Sequence, residues 1–359
     1  MNKRQKEILQ SQLDLEKKTL DELKLIYKQA VDGINAKIAQ LLVRSDADLP
    51  HVIYQVEYQK ALRKQINAIL DELNSNQFIT ISEYLAKSYE EGYIGTLYDI
   101  EGQGVPLMLP IDQEAVTQAV TLDSKLSKPL YTRLGEDIAA LKKKVSSTVS
   151  RGIAQSLSYA DIARLIQNGT NLQMYHAMRI TRTEAGRIQT QASADAQHRA
   201  KEAGAEIVKQ WDATLDRRTR RTHRELDGQI RELDEDFVIP STGAHAPRPF
   251  AFGIAKEDIN CRCALLQRAK WELSDDEEIV KMNNFTKQLE TFDSPKSYAD
   301  FKKAFFSQEN IRYMNYLAKL EERYETKNFP RLLAMMNDRE YNHYSKLLKA
   351  NPIYNKSGD

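Results

Sequence analysis

Apolar residues recur at helical spacing through the first 45 residues of the chain, separated by Lys, Glu and Asp. This period places the apolar residues on one face of a long amphipathic helix. They are Leu9, Leu13, Leu20, Leu23, Ile34, Ile38 and Leu41. The sequence SDADLP, which ends at Pro50, predicts the end of this helix. We therefore expect an elongated helical element with one face suited to packing against other helices.

Helical patterns continue to about residue 150. They predict a second helix over 51–73, a third over 82–93, and further helices after residue 113. The stretch EGYIGTLYDIEGQGVPLMLP, residues 91–110, is rich in Gly, Pro and apolar residues and predicts a loop or a pair of short strands. Residues 1–150 are thus predicted to form a helical N-terminal region.

The hydrophobic period changes after Gly204. Two helices, over about 158–169 and 171–203, precede it, and AEIVKQWDA at 205–213 then alternates as a strand does. A short helix follows, with Asp216 as its N-cap and Gly228 just past its end. FVIP (237–240), RPFAFG (248–253) and CRCALLQ (261–267) predict short strands or loop edges. The predicted class is therefore α+β, with an α+β module over 151–272 and a helical C-terminal extension over 273–359.

Length and composition restrict the kind of protein. The chain of 359 residues is long enough for two or three domains, and 41% apolar with 29% charged residues is typical of a folded protein in water. We find neither an apolar window of membrane-spanning length nor a secretory signal, so we expect folding in a reducing cytoplasm and no membrane partner. The net charge of +1 excludes a uniformly basic surface, so affinity for DNA must come from a local patch.

Four arginines recur at helical spacing in the predicted short helix. Arg217, Arg220, Arg221 and Arg224 would share one helix face. Guanidinium groups match the geometry of phosphate oxygens, so this stripe predicts a contact with double-stranded DNA. The alternative is a solvated or intersubunit face whose charge is offset by nearby acidic residues.

Cys261 and Cys263 are the only cysteines of the chain and stand one residue apart in the sequence NCRC. A pair this close is badly placed to bridge itself. On a strand both thiols would point to the same face, and with His223 and either His245 or Asp227 they could complete a four-coordinate zinc site. Two other interpretations stay open: buried cysteines that pack as small hydrophobic residues, and a catalytic thiol of the Cys–His type.

Three further residues are predicted to have structural roles. Glu184 lies on the apolar stripe of its helix and needs a partner there, with Arg182 or Arg187 the nearest arginines in sequence. Trp211, at the end of the predicted strand, is expected in the core. Asn260 is expected to hold the loop before the cysteines through hydrogen bonds from its side chain to the backbone.

Three motifs follow one another in this part of the chain: RTEAGR at 182–187, KQWDATLDRRTRRTHRELDGQ at 209–229 and EDINCRCALLQRAKW at 257–271. Their ordered series resembles the phage Mu F-like family, the minor head or head morphogenesis proteins of tailed phages and prophages. The matching positions are Arg182, Thr183, Glu184, Trp211, Asp216, Arg220, His223, Asp227, Gly228, Asn260, Cys261 and Cys263.

The resemblance implies a protein that is built into the virion in few copies, inside the capsid near the portal vertex, after assembly in the host cytoplasm. Its implied partners are the portal protein, the major capsid or scaffolding protein and double-stranded DNA, with residues 1–150 as a portal-docking arm. It implies no enzymatic activity and no cofactor. The alternative is a metal- or thiol-dependent hydrolase centred on His223, Cys261 and Cys263.

Overall fold

The computed structural model describes residues 1–45, 52–102, 109–112, 115, 118–119, 130–154, 159–269, 280–283, 288–291 and 297–352. These residues divide into two compact units. One unit contains Met1–Leu13, Ala86–Ala119 and Ala185–Asp359, and the other contains Asp14–Leu85 and Val120–Glu184. The bounds predicted above, at residues 150 and 272, remain a prediction.

Four long helices form most of the N-terminal half: α1 (Lys3–Ser45), α2 (Val52–Gly102), α3 (Leu130–Ala154) and α4 (Tyr159–Glu202). In the unit of Asp14–Leu85 and Val120–Glu184, the apolar faces of the helices pack together in a buried core. Its fully buried members include Leu23, Ile34, Leu70, Leu134 and Leu141. The helix predicted over the first 45 residues is confirmed.

The helix α2 corrects two predictions. Residues 51–73 and 82–93 belong to one helix, because no Gly or Pro interrupts residues 52–91 and the polar segment between them stays helical. Gln77 in that segment is buried, accepts a hydrogen bond from the Tyr27 hydroxyl (2.7 Å) and donates one to Asn74 (3.1 Å). The loop or strand pair predicted from residue 91 is also wrong as far as residue 102, and residues 103–108 lie outside the described part.

The glycines that suggested a loop at 91–102 instead permit close helix packing. A Cβ atom on Gly92 would lie 2.5 Å from the main-chain oxygen of Gln189 in α4, and one on Gly95 would lie 2.7 Å from the side chain of Ile8 in α1. Only glycine allows such close backbone approach, so these residues stay helical where tertiary packing outweighs their low helix propensity.

The predicted break near 168–169 is likewise absent, since α4 runs from Tyr159 to Glu202 without interruption. The hydroxyl of Thr170, which is fully buried, donates to the Ile166 carbonyl within the helix (2.9 Å). The predicted capping residue, Ser158, lies outside the described part. The predicted stop is confirmed, because the helix ends two residues before Gly204, whose φ of 103° is readily adopted by glycine alone.

A small sheet of three antiparallel strands follows α4, and the strand Ile207–Asp212 lies in the middle. Its strands are β1 (Ile207–Asp212), β2 (Ile230–Arg231) and β5 (Ala264–Ala269), with Trp211 opposite Leu265. Alternate residues of β1 are buried, as the sequence pattern predicted. Lys209 shares the buried face because its ammonium group donates to the carbonyls of Leu233 (2.8 Å) and Pro247 (2.9 Å).

Short elements connect these strands: α5 (Arg221–Leu226), β3 (Phe237–Val238) paired with β4 (His245–Ala246), and α6 (Ala255–Asp258). FVIP therefore contains a strand, whereas RPFAFG contains none. CRCALLQ enters the sheet only at Ala264, so the two cysteines precede the strand rather than belong to it.

The C-terminal region contains one element that the sequence did not predict, the antiparallel hairpin of β6 (Val280–Asn283) and β7 (Gln288–Thr291). Helices follow as predicted: α7 (Tyr298–Phe305), α8 (Gln308–Tyr324), α9 (Phe329–Met335) and α10 (Asp338–Ala350). The predicted fold class is confirmed. Among the described residues, no helix is both long and apolar enough to cross a membrane.

Candidate metal centre and arginine-rich cleft

The structure brings His223, Cys261 and Cys263 together in the α+β module. His223 lies on α5, and the cysteines lie in the extended segment that leads into β5. Nδ1 of His223 lies 3.2 Å from Sγ of Cys263 and 3.7 Å from Sγ of Cys261. All three side chains are buried, and one ligand atom from each falls within 4.8 Å of the others. The arrangement therefore offers two sulfurs and one nitrogen to a single point.

Aromatic residues fix the orientation of this imidazole. The indole ring of Trp211 meets it edge-on, with centroids 6.1 Å apart and planes at 84°, and Phe252 stacks on it at 6.4 Å. Trp211 is fully buried, as predicted, and packs in one apolar cluster with both cysteines. The ring of His223 is thereby held with Nδ1 toward the sulfurs.

A carboxylate lies on the other side of the imidazole. Oε2 of Glu257, in α6, is 3.2 Å from Nε2 of His223, although the angle is not that of a regular hydrogen bond. The same oxygen accepts a hydrogen bond from the hydroxyl of Thr222 (2.8 Å). Sequence reasoning missed Glu257 as part of the site, since its position in EDINCRC shows no helical or strand periodicity that would direct it at His223.

The surroundings of the two thiols separate their proton affinities. Hydrogen bonding with Cys261, followed by interactions with His223 and Trp211, lowers the pKa of the Cys263 thiol to about 5. Burial raises the pKa of the Cys261 thiol. These opposite shifts favour the thiolate form at Cys263 over Cys261, and the main-chain N–H of Cys263 donates to Sγ of Cys261 (3.4 Å).

The turn before the cysteines is held from both sides. The carboxylate of Asp258 accepts hydrogen bonds from the main-chain N–H groups of Phe252 (3.1 Å) and Gly253 (2.8 Å). The guanidinium of Arg220 donates to the carbonyls of Glu257 and Ile259. These contacts present Asn260, at a φ of 56°, and then Cys261 to the site. The hydrogen bonds predicted for the Asn260 side chain stay a prediction.

The predicted stripe of four arginines is wrong in its geometry, because α5 begins only at Arg221. Arg220 occupies the N-cap position and supports the cysteine turn, and Arg224 donates to the Asp216 carbonyl (2.8 Å). Arg217, Arg221 and Arg224 are exposed, and Arg221 pairs with Glu225 at 3.1 Å. Contact with DNA through these residues stays a prediction, now with three exposed arginines that do not share one helix face.

The sequence predicted Asp216 as the N-cap of α5, and this prediction is wrong. Asp216 instead closes the turn before the helix. Its carboxylate accepts from the Arg218 N–H (2.8 Å) and forms a two-pronged ion pair with Arg262, each contact 2.6 Å. Hydrogen bonds from Arg262 lower the pKa of this carboxyl. This ion pair joins the arginine-rich turn to Arg262, which lies between the two cysteines. The sequence did not predict this role for Arg262.

A small cleft opens beside the cluster of His223, Cys261 and Cys263. It reaches His223 and Cys263, and its other lining residues are Thr214, Arg218, Thr219, Arg220, Asn260 and Arg262. Three arginines, Arg218, Arg220 and Arg262, therefore line the cleft that reaches the buried thiol of Cys263. Asp227 and His245, the further ligands suggested from sequence, are engaged elsewhere: Asp227 accepts from the Ala213 N–H (2.8 Å) and His245 pairs with Asp236 (2.6 Å).

Glu184, in the RTEAGR motif, is buried and forms an ion pair with Arg133 of α3 at 2.8 Å. The sequence predicted the need for a partner but could not find Arg133, which lies 51 residues away. Arg182 pairs with Glu16 at 2.8 Å, and Arg187 donates to the Ala119 carbonyl at 2.9 Å. Glu184 and Arg182 therefore have structural partners within their unit.

Most of the α+β module, with the cluster of His223, Cys261 and Cys263, lies in the part of the chain that a family model matches. Residues 143–266 match the sequence model of the family described as Phage Mu protein F like protein. The resemblance seen in the three ordered motifs is thereby confirmed: this chain carries a phage Mu F-like domain.

The similarity to two curated relatives extends beyond this domain. The chain is 35% identical over 294 residues to an NAD(+)–arginine ADP-ribosyltransferase, EFV, of Enterococcus faecalis, covering 79% of this chain but only 59% of that protein. It is 29% identical over 221 residues to minor head protein GP7 of Bacillus phage SPP1, covering 59% of this chain and 69% of that protein. No solved structure matches the chain.

Proposed function

We propose that this chain is a minor capsid protein that assists head morphogenesis of a tailed phage or prophage, inside the head near the portal vertex. The observation that carries the proposal is the Mu F-like domain at 143–266 together with the similarity to the SPP1 minor head protein. A location in the virion, reached from the host cytoplasm, follows from this role.

In this proposal α1 is the arm that binds the portal protein, with the major capsid or scaffolding protein as a further contact during assembly. The support is apolar exposure on a long helix: Leu9 and Leu13 are 37% and 49% exposed. They stand four residues apart and so share a helix face. An exposed apolar face of this type is suited to packing against helices of another protein.

Binding to the portal protein can be tested on the full chain. We expect Leu9→Ser/Leu13→Ser to lower the amount of chain that co-purifies with the cognate portal protein at least tenfold, since it replaces both apolar contacts. The matched control is Leu165→Ser/Leu172→Ser, which changes two exposed leucines of α4 (40% and 49%) and should leave co-purification unchanged. Equal binding by both variants and the wild type would refute the proposal that α1 binds the portal protein through Leu9 and Leu13.

Contact with packaged double-stranded DNA is the second part of the proposal, through Arg217 and Arg221. Arginine–phosphate contacts release counterions, so retention on DNA should fall steeply as salt rises. Replacing both arginines with Gln should lower the slope of log affinity against log salt by about 2, one per lost phosphate contact. An unchanged slope would exclude these two residues from the DNA contact.

We propose a role without catalysis. The name of the Enterococcus faecalis relative makes ADP-ribosyl transfer the reaction to test, whereas neither the matched family nor the two relatives is named as a metal- or thiol-dependent hydrolase. The full chain incubated with NAD⁺ and an arginine acceptor should release no nicotinamide above a protein-free blank. Release that depends on the chain would overturn this part of the proposal.

A further inference from the structure

We propose that His223, Cys261 and Cys263 bind one zinc ion, and that its fourth coordination position opens into the arginine-lined cleft. This inference is independent of the head role, because it concerns the chemistry of one buried cluster. It assigns no reaction to the ion.

The distances within the cluster suit a tetrahedral ion. Zn–S bonds of about 2.3 Å and Zn–N bonds of about 2.0 Å place sulfur and nitrogen ligands roughly 3.5 Å apart. Nδ1 of His223 lies 3.2 Å and 3.7 Å from the two sulfurs, one on either side of that value. The three ligands therefore need little movement to close around zinc.

The groups around these ligands are those that a metal site uses. A histidine ligand usually directs its second nitrogen at a carboxylate or carbonyl, which fixes the ring. Here Nε2 of His223 faces Glu257 at 3.2 Å, and the Thr222 hydroxyl orients that carboxylate. The buried Nε2 has no regular hydrogen bond to any described group, and a small rotation of the ring on metal binding would give it one with Glu257.

The donor set selects the kind of ion. Two thiols and an imidazole favour zinc or another soft transition metal over magnesium and calcium, which prefer oxygen ligands. A disulfide between Cys261 and Cys263 is the competing outcome, but residues at i and i+2 are badly placed for one, and both thiols are free here.

Only three protein ligands converge among the described residues, which leaves one tetrahedral position for an external ligand. The cleft reaches both His223 and Cys263, and Arg218, Arg220 and Arg262 line it. The guanidinium groups favour a water-derived hydroxide or a small anion at that position over a cation.

The test begins with the full chain, purified without a polyhistidine tag in zinc-supplemented medium. Elemental mass spectrometry should find about one zinc per chain in the wild type. We expect at least a tenfold loss in Cys261→Ser, Cys263→Ser and His223→Asn, and no loss in the matched control His245→Asn. A wild-type chain without metal, before and after incubation with excess zinc, would overturn the site.

A second measurement needs no substitution, so it holds even where a cysteine variant fails to fold. Cobalt(II) added to the metal-free wild type should produce intense thiolate-to-cobalt absorption and the visible bands of a tetrahedral ion. Zinc should also protect both cysteines from alkylation, and a chelator should remove that protection. Absence of the thiolate–cobalt band would refute the ligand set.

The open position has its own test in the same sample. Azide or thiocyanate should shift the visible bands of the cobalt-loaded chain, and Arg218→Gln should weaken the binding of the anion severalfold without reducing metal content. If neither anion shifts the visible bands, the fourth ligand comes from the chain itself, and the proposed open coordination position is refuted.

Discussion

Gly186 of the RTEAGR motif lies against the ring of Phe250, and Gly186→Ala tests that contact. An added Cβ would lie 2.2 Å from Cζ and 2.6 Å from both Cε atoms of the ring. The ring has little room to retreat, because Phe250 is buried and has a φ of 62°. The preceding carbonyl, of Pro249, is also bound to the Thr190 hydroxyl of α4 (3.0 Å). The added methyl group therefore overpacks the core of the α+β module.

The expected size follows from two opposing effects. Overpacking of a core costs about 1–3 kcal/mol, with the upper end expected where three ring atoms overlap. Alanine regains about 1 kcal/mol of helix propensity over glycine. The free energy of unfolding should therefore fall by about 2 kcal/mol, measured from the midpoint of urea denaturation followed by tryptophan fluorescence.

The matched control is Gly135→Ala in α3, where no described atom beyond the neighbouring residues and backbone of the same helix lies within 4 Å of the new Cβ. It should stabilise the chain by up to about 1 kcal/mol, because only the helix propensity changes. The double variant Gly186→Ala/Phe250→Leu removes the overlapping ring and should recover at least about 1 kcal/mol relative to additivity. A stabilising Gly186→Ala, or a strictly additive double variant, would refute the packing argument.

Two further predictions concern the stability of the helices. Arg199→Met breaks the ion pair with Glu321, in which each side chain is only 14% exposed. The free energy of unfolding, measured by urea denaturation, should fall by about 2 kcal/mol, because the buried carboxylate of Glu321 loses the partner of its charge. Arg221→Met, with a side chain 89% exposed, is the control and should cost under about 1 kcal/mol; equal losses would contradict the burial argument. Asn337→Ala removes the capping box with Glu340 at the start of α10 and should cost about 1 kcal/mol, with faster limited proteolysis of the C-terminal helices; unchanged cleavage would show that the cap contributes nothing.

Periodicity predicted the elements whose faces are buried in the usual way. The helix of the first 45 residues and the strand β1 were visible because their apolar residues recur with the period of their structure. The sequence failed at Gly92 and Gly95, which read as loop residues but serve close helix contacts. Local propensity cannot show this, since the contact partners lie far away in sequence.

The candidate site was predictable in its residue types and not in its geometry. Cys261, Cys263 and His223 were singled out by their rarity and motif context, and the fold brings them together. The prediction of an arginine stripe was wrong because α5 begins only at Arg221. The residues before it form a turn that Asp216 holds through Arg262, which lies 46 residues away in sequence. Glu257 was missed because its role depends on a one-turn helix that leaves no periodic signal.

The location of the chain tests the head role most directly. Heads purified from the phage or induced prophage that encodes it should contain the chain in a few copies by quantitative mass spectrometry. That material should resist added protease until the heads are opened. A chain that stays in the soluble fraction, or that protease removes from intact heads, would contradict the account.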